Sequence, residues 1–232
     1  MEDIDTVLCG PVQLQIHSKP VYGLVLWPAA RVLAGWLAKF DSCGGPLLEL
    51  GCGAGLCGMA FAKATGSAAV LTDGEDDVLE LAERNVELNG LHGVGVRCLD
   101  LGFMQEEEGK ALIEEFGKFP LVVGSDMIFE PGGTARVLAA ADQLLDSEGG
   151  RCVIALCNKL ENFVVTLEAQ GEAKGFEVEA LIRTQSGVSL VVLFRGKPAW
   201  KLPAFEELEE APSHQADQPD KQTCDRADLL FA

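Results

Sequence analysis

The sequence is short of basic side chains, with 18 Lys and Arg against 36 Asp and Glu in 232 residues and a formal charge of −18. The few basic residues form no cluster along the chain. An acidic surface repels the phosphates of nucleic acids and attracts cationic groups. The composition therefore argues against a nucleic-acid substrate and favours a protein or peptide with a basic surface as partner.

Long apolar runs are also missing. No stretch approaches the roughly 18 apolar residues of a membrane helix, and the N-terminus lacks the basic and apolar segments of a secretory signal. The eight cysteines include no C-x-x-C pair, and several lie inside apolar runs. We therefore predict reduced, buried cysteines, no metal site, no membrane span and a cytosolic or nuclear location.

The most informative stretch that is present is a glycine-rich turn after the apolar segment Leu47-Leu-Glu-Leu50. Gly51, Gly53 and Gly55 alternate with small residues, and an apolar helical pattern follows. Glycine takes positive φ freely and lets a ligand lie against the backbone, while a helix N-terminus offers N–H groups. The spacing differs from the G-x-G-x-x-G of dinucleotide-binding turns. By itself the turn is compatible with a ligand site or with a tight turn that binds nothing.

Acidic residues at the ends of the next strands favour the ligand site. Asp73 closes a short buried strand 22 residues after Gly51, near the roughly 20 residues at which an acid binds ribose hydroxyls in such folds. Asp73 also precedes a helix, where a carboxylate would be favourable without any ligand. Asp100, at the end of the following strand, is placed either to accept the amine of adenine or as a solvated strand end.

A further acid and an aromatic residue follow the fourth strand, residues 121–125. Ligands bind outside the carboxyl ends of parallel strands. Asp126 is therefore well placed to bind an incoming amine, and Phe129 to form the wall beside it. The alternative is a strand-ending turn with one phenylalanine in the core. Trp27 precedes a helix that starts at Pro28 and, taken alone, is interpreted as a core residue.

The order of apolar segments predicts an α/β fold. Strands at 47–50, 68–72, 94–99, 121–125 and 151–157 are separated by helical patterns, and strands at 176–183 and 188–195 are joined by a turn short enough for a hairpin. This pattern is typical of a Rossmann-like seven-stranded, mostly parallel sheet with helices on both faces and a C-terminal antiparallel hairpin.

Two boundaries follow from the same pattern. Residues 1–197 are predicted to form the domain, in which residues 1–45 add an N-terminal strand at 12–16 and a helix. Residues 198–232 are rich in Glu, Pro, Ser, Gln and Asp and are predicted to form a mobile acidic tail. Asn85 and Asn89 share one helix face with apolar residues, so we expect both amides to be hydrogen-bonded to backbone or to a neighbouring loop.

Taken together, these segments resemble class I S-adenosylmethionine-dependent methyltransferases, and more narrowly the lysine methyltransferase-like family, also called methyltransferase family 16. The resemblance spans roughly residues 12–195 and is carried by Trp27-Pro-Ala-Ala30, Glu49-Leu-Gly-Cys-Gly-Ala-Gly-Leu-Cys-Gly58, Thr72-Asp73, Asn85-Val-Glu-Leu-Asn89, Leu99-Asp-Leu-Gly102 and Ser125-Asp-Met-Ile-Phe129. The chain departs from the family at Leu101, where tryptophan is usual, and at Phe129, where tyrosine is usual.

The resemblance implies S-adenosylmethionine as cofactor and a protein substrate methylated on the ε-amine of a lysine. It assigns the cofactor to Trp27, Glu49, Gly51, Gly53, Gly55, Asp73, Asp100, Leu101 and Ser125, and the methyl-transfer pocket to Asp126 and Phe129. Alternatives are methylation of arginine or of a small molecule, a catalytically silent cofactor-binding adaptor, and a nucleotide-dependent dehydrogenase.

Overall fold

The structure, a computed structural model, describes residues 4–18, 21, 23–101, 106–128, 132–157, 161–197 and 200–205. Its strands are β1 (Ile4–Cys9), β2 (Val12–His17), β3 (Leu47–Leu50), β4 (Ala69–Asp73), β5 (Val94–Cys98), β6 (Leu121–Ser125), β7 (Arg151–Cys157), β8 (Glu177–Arg183) and β9 (Val188–Phe194). Its helices are α1 (Pro28–Leu37), α2 (Leu56–Thr65), α3 (Asp76–Leu88), α4 (Glu106–Phe116), α5 (Gly133–Leu144) and α6 (Glu161–Ala173).

Seven strands form one sheet in the order β5-β4-β3-β6-β7-β9-β8. The first five of these pair in parallel, and β9 pairs antiparallel with both β7 and β8. The predicted α/β fold is confirmed, including the C-terminal hairpin. From β3 the chain continues to β4 and β5 on one side, and then to β6 and β7 on the other side of β3. The strand order therefore reverses between β3 and β6, and a crevice lies at the carboxyl ends of these two strands.

Two apolar cores cover the two faces of the sheet. Successive side chains of a strand point to opposite faces, and Leu47 accordingly belongs to one core and Leu48 to the other. Helices α1, α2 and α3 pack on the first face and α4, α5 and α6 on the second. All four residues of β3 are buried, so the turn that follows them is held at the centre of the molecule.

An antiparallel hairpin of β1 and β2 precedes the main sheet, whereas the sequence predicted only the second of these strands. The side-chain amides of Asn85 in α3 and of Asn89 at the C-cap of α3 hold the inner edge of this hairpin. Asn85 accepts from the Gln15 backbone N–H at 2.7 Å and donates to the Gln15 carbonyl at 3.1 Å, and Asn89 makes the same pair with Gln13 at 3.0 and 2.6 Å. The two side chains make the hydrogen bonds to β2 that a neighbouring strand would otherwise make. The prediction that both amides are hydrogen-bonded is confirmed.

Residues 200–205, which the sequence pattern assigned to the tail, pack on the domain. The ring of Trp36 stacks on Phe205 with centroids 4.9 Å apart. The Arg151 guanidinium lies 4.3 Å from the ring centroid of Trp200 and donates to its carbonyl at 2.7 Å. The remainder of the predicted tail lies outside the described residues.

The cysteines of the described segments are free thiols. Cys43, Cys52, Cys57 and Cys152 are buried as predicted, whereas Cys98 is exposed. Among the helices that the structure describes, none has the length and apolar character needed to cross a membrane.

Candidate active site

A cavity of about 430 Å³ lies at the carboxyl ends of the parallel strands. This volume falls within the range of small-molecule sites. The glycine turn after β3, the ends of β4, β5 and β6, and the loop before α1 all contribute walls. The walls include the following predicted residues: Trp27, Gly51, Gly53, Asp73, Asp100, Leu101, Ser125 and Asp126.

The glycine turn exposes backbone to this cavity. Gly51, Gly53 and Gly55 have φ of 58°, 52° and 82°, a region that only glycine adopts readily. Gly51 and Gly53 lie at the cavity wall. Gly55 does not, because it caps the N-terminus of α2, where an added Cβ would lie 2.8 Å from Leu71 Cδ1. A glycine at position 55 therefore allows α2 to pack on β4 and does not make the predicted cofactor contact.

Asp73 is fixed to the glycine turn by its carboxylate. Oδ2 accepts from the Gly53 N–H at 3.2 Å, and Oδ1 accepts from the Gly74 N–H at 2.9 Å. Burial raises the pKa of this carboxyl, and the two backbone donors act against that rise. The structure thus brings together the acid and the turn that the sequence predicted as partners, and the ribose contact stays a prediction.

Glu49 does not reach the cavity. Its side chain is 1% exposed, and Oε2 accepts from the Gly58 N–H in the first turn of α2 at 2.8 Å. Burial raises the pKa of this carboxyl to about 7 despite the hydrogen bond from Gly58. Strand β3 directs Glu49 to the sheet face that α2 covers, so its role is to anchor that helix under the turn instead of the predicted cofactor contact.

The ends of β4 and β5 form the wall that contains Asp100 and Leu101. The Leu99 N–H donates to the Asp73 carbonyl at 2.9 Å and so extends the pairing of these strands. An added Cβ at Gly74 would lie 3.2 Å from Asp100 Cα. Gly74 therefore allows the two strand ends to approach closely.

Asp126 lies at the other end of the cavity, just after β6. Its φ of 50° is the one positive value at a non-glycine residue in the described ranges. Its carboxylate accepts from the Ala29 N–H at 3.3 Å and from the Cys157 N–H and thiol at 2.9 and 3.2 Å. Burial raises its pKa, and these donors oppose the rise. Phe129, the second predicted residue of this pocket, lies outside the described residues.

Several lining residues carry no signal in the sequence pattern. Gly23 has φ of 74°, and its added Cβ would lie 2.6 Å from Val78 Cγ2, so it lets the loop before α1 close over α3. Leu24, Met127 and Arg136 line the cavity as well. Leu24 and Met127 are isolated apolar residues in loops, and Arg136 is a single basic residue in α5, so only the glycine at 23 was a detectable sign of close approach.

The electrostatics of the cavity favour a cationic ligand. The lining contains five carboxylates and one guanidinium, from Asp73, Glu75, Asp77, Asp100, Asp126 and Arg136. A cluster of this sign attracts positive charge and repels phosphate. S-adenosylmethionine carries a sulfonium and an ammonium and no phosphate, so the residues present fit it better than a dinucleotide.

The sheet order defines a Rossmann-like α/β fold. Among solved structures, the fold is similar to M. jannaschii TYW2 in complex with AdoMet, with a TM-score of 0.58 and 13% identity over 84% of this chain and 85% of that one.

A family described as lysine methyltransferase matches residues 11–167, and the chain belongs to this family. Two relatives illustrate its range. The chain is 30% identical to histone-arginine methyltransferase METTL23 of Mus musculus over 51% of its own length and 46% of the relative, and 34% identical to calmodulin-lysine N-methyltransferase of Arabidopsis thaliana over 46% and 36%. The matched part therefore spans less than half of either relative. Family and cavity agree with the predicted cofactor, S-adenosylmethionine.

Proposed function

We propose that this protein is an S-adenosylmethionine-dependent methyltransferase that methylates the ε-amine of a lysine in a protein substrate. The observation that carries the proposal is one acidic cavity, whose lining includes a glycine turn tied to Asp73 and, after the neighbouring strand β6, Asp126. Membership of the lysine methyltransferase family supports the acceptor. The proposed substrate has a basic surface, which the charge of −18 would attract.

Bound S-adenosylmethionine would supply the methyl group of its sulfonium for an in-line displacement, in which the N–C bond forms as the S–C bond breaks and S-adenosylhomocysteine leaves, so the protein chiefly positions the reactants. We assign the backbone of the glycine turn to cofactor binding and Asp73 to the ribose hydroxyls. A lysine amine must first lose its proton, although its unperturbed pKa is near 10.4. Desolvation by the apolar walls of Trp27, Leu24 and Met127 acts to lower that pKa, against the lining carboxylates, which favour the ammonium, and the proton leaves to solvent.

Arginine is the second candidate acceptor, because the Mus musculus relative is named for histone arginine. The acidic cavity would attract a guanidinium as well as an ammonium. Lysine is preferred because its amine becomes a nucleophile once it is neutral, whereas a guanidinium stays protonated in proteins. We further propose a reducing location, cytosol or nucleus, in keeping with the free thiols of the described cysteines.

The test is to incubate the protein with radiolabelled S-adenosylmethionine and cell lysate and to map the modified residue of each labelled band by mass spectrometry. We expect a labelled protein carrying methyl-lysine, and loss of the label with Asp73→Ala. Methyl-arginine would establish the second candidate, and a labelled metabolite would establish a small-molecule substrate. Binding of the cofactor without any labelled product would instead indicate a silent adaptor.

A further inference from the structure

Asp126 joins three elements through one carboxylate. Its backbone N–H donates to the Ala155 carbonyl at 2.9 Å and so continues the pairing of β6 with β7. Its side chain accepts the Cys157 N–H at 2.9 Å and the Cys157 thiol at 3.2 Å, at the end of β7. The third contact, the Ala29 N–H at 3.3 Å, reaches across 97 positions of sequence to α1. The ends of β6 and β7 are thereby tied to the start of a helix.

Helix α1 has no cap of its own. Its N-cap residue, Trp27, makes no side-chain capping bond, and its first turn contains no acidic residue. The first N–H groups of a helix have no partner within it, and a carboxylate beside them is also favoured by the helix dipole. The carboxylate of Asp126 accepts a hydrogen bond from the Ala29 N–H and places a negative charge at the helix N-terminus. A residue close in sequence usually caps a helix, whereas α1 is capped by a residue that follows β6.

The residue that this cap fixes is part of the cavity. Trp27 is both the N-cap of α1 and a lining residue, and it stands immediately before the capped turn. A movement of the start of α1 would therefore move the Trp27 ring relative to Gly51 and Gly53 on the neighbouring wall.

The backbone of Asp126 indicates that this arrangement is specific. A φ of 50° is unfavourable for residues with a Cβ, and Asp and Asn are among those that tolerate it best. The left-handed conformation turns the chain after β6 at the point where the carboxylate meets both Cys157 and Ala29.

We propose that Asp126 is a positioning residue of the cofactor site: it caps α1 from the end of β6 and thereby fixes Trp27 as a wall of the cavity. The proposal rests on the proposed function only in that the cavity binds S-adenosylmethionine. It adds a role for Asp126 that needs no contact with the methyl acceptor.

The test is a double-mutant cycle that measures the affinity for S-adenosylhomocysteine by calorimetry in the wild type, Asp126→Gly, Trp27→Ala and the double variant. Glycine is chosen because it accepts the left-handed backbone without strain. Asp126→Gly should lose affinity at least tenfold in the wild-type background and less than twofold in the Trp27→Ala background. Effects of coupled residues on affinity are non-additive in this way, whereas the effects of independent residues multiply.

Independent effects of the two substitutions, or an Asp126→Gly variant that binds like the wild type, would overturn the proposal. Asp126→Asn provides a second variant in case Asp126→Gly does not fold, since asparagine tolerates positive φ and keeps one acceptor oxygen. It should lose affinity by less than Asp126→Gly and show the same dependence on Trp27; a loss that persists in the Trp27→Ala background overturns the proposal. A wild type that binds no S-adenosylhomocysteine would instead refute the cofactor site itself, independently of any result on lysine transfer.

Discussion

At the scale of single residues, Glu49 links the stability of the cofactor turn to pH. Its carboxyl group is buried and anchors the first turn of α2 through Gly58. Burial raises its pKa from the ordinary value of 4.5 to about 7. In this situation the unfolded chain releases the proton at lower pH than the folded protein does. The stabilising contribution of the protonated group is therefore complete below pH 4.5 and is lost as the pH rises to about 7.

Glu49→Gln should remove this pH dependence. Glutamine retains an acceptor for the Gly58 N–H and carries no charge. The free energy of unfolding of the variant should rise relative to the wild type by about 3 kcal/mol between pH 4.5 and 7, at about 1.36 kcal/mol per pH unit. Urea unfolding of both proteins across this interval measures the difference, and two parallel curves would contradict the burial argument.

Substitution by alanine should have opposite effects on stability at two helical glycines, Gly58 in α2 and Gly35 in α1. An added Cβ at Gly58 would lie 2.3 Å from Cδ2 of the fully buried Leu71, whereas nothing lies within 4 Å of a Cβ at the exposed Gly35. Gly58→Ala should destabilise by about 1–2 kcal/mol through overpacking. Gly35→Ala should stabilise by about 0.5–1 kcal/mol, because alanine favours the helix. Equal effects in denaturant unfolding would refute the assigned packing.

The acids of the site could be predicted because they follow buried parallel strands, whose carboxyl ends meet at one edge of the sheet. Asp73 and Asp126 were placed at the cavity on this ground. The sequence could not show that Glu49 points away from the cavity. In a strand that is buried on both faces, the apolar pattern does not reveal which face of the sheet a given side chain occupies. Gly55 was likewise assigned to the ligand, although its close contact with Leu71 of β4 requires a glycine.

At the scale of elements, the amides of α3 determine how the N-terminal hairpin is held. Asn85 is fully buried and also donates to the Ala54 carbonyl in the glycine turn at 3.0 Å. One side chain thus connects β2, α3 and the turn. The hairpin is attached to the domain beside the cavity by hydrogen bonds that a peptide strand would otherwise provide.

Asn85→Leu should therefore destabilise the protein by about 2–4 kcal/mol, since it leaves the N–H and carbonyl of Gln15 and the carbonyl of Ala54 unpaired. Hydrogen exchange at the Gln15 amide should accelerate more than exchange in β3. Glu87→Ala, at an exposed position of the same helix, serves as control and should change stability by less than about 0.5 kcal/mol. Protection of Gln15 that survives Asn85→Leu would contradict the proposed attachment.

The apolar periodicity predicted which segments form helices and which form strands. It did not predict how the N-terminal strands pair or which residues cap the helices. The strand β1 was missed because Ile4–Cys9 is half exposed and contains polar residues that break the apolar alternation. At the start of α5, Gly132 is the N-cap, and Thr134 is buried within the helix. A threonine near a helix start fits either position, and only packing distinguishes them.

At the scale of the whole molecule, the sheet order brings residues that are far apart in sequence to one crevice. The order of strands across the sheet depends on long-range packing and could not be derived from the local pattern. The end of the domain could not be located from composition either, because the Glu- and Pro-rich character of residues 198–232 as a whole obscured the short apolar stretch 199–205 at their start. Trp200 and Phe205 of this stretch pack on Arg151 and Trp36.

Two truncations should distinguish the packed segment from the residues beyond it. Ending the chain after Phe205 should leave the unfolding midpoint within about 2 °C, because the deleted sequence is polar and acidic. Ending it after Lys197 removes the Trp200 and Phe205 contacts, worth about 3 kcal/mol, and should lower the midpoint by about 6–12 °C. Equal midpoints in a thermal scan would show that residues 200–205 contribute nothing to the domain.

The most direct test of the cavity is a calorimetric titration with S-adenosylhomocysteine. We expect one site per chain in the wild type and at least tenfold weaker binding in Asp73→Ala, whose carboxylate holds the glycine turn. Asp76→Ala, an exposed acid that does not line the cavity, should bind like the wild type. Absence of binding heat in the folded wild type, or equal affinity in the Asp73 and Asp76 variants, would contradict the assignment of this cavity as the cofactor site.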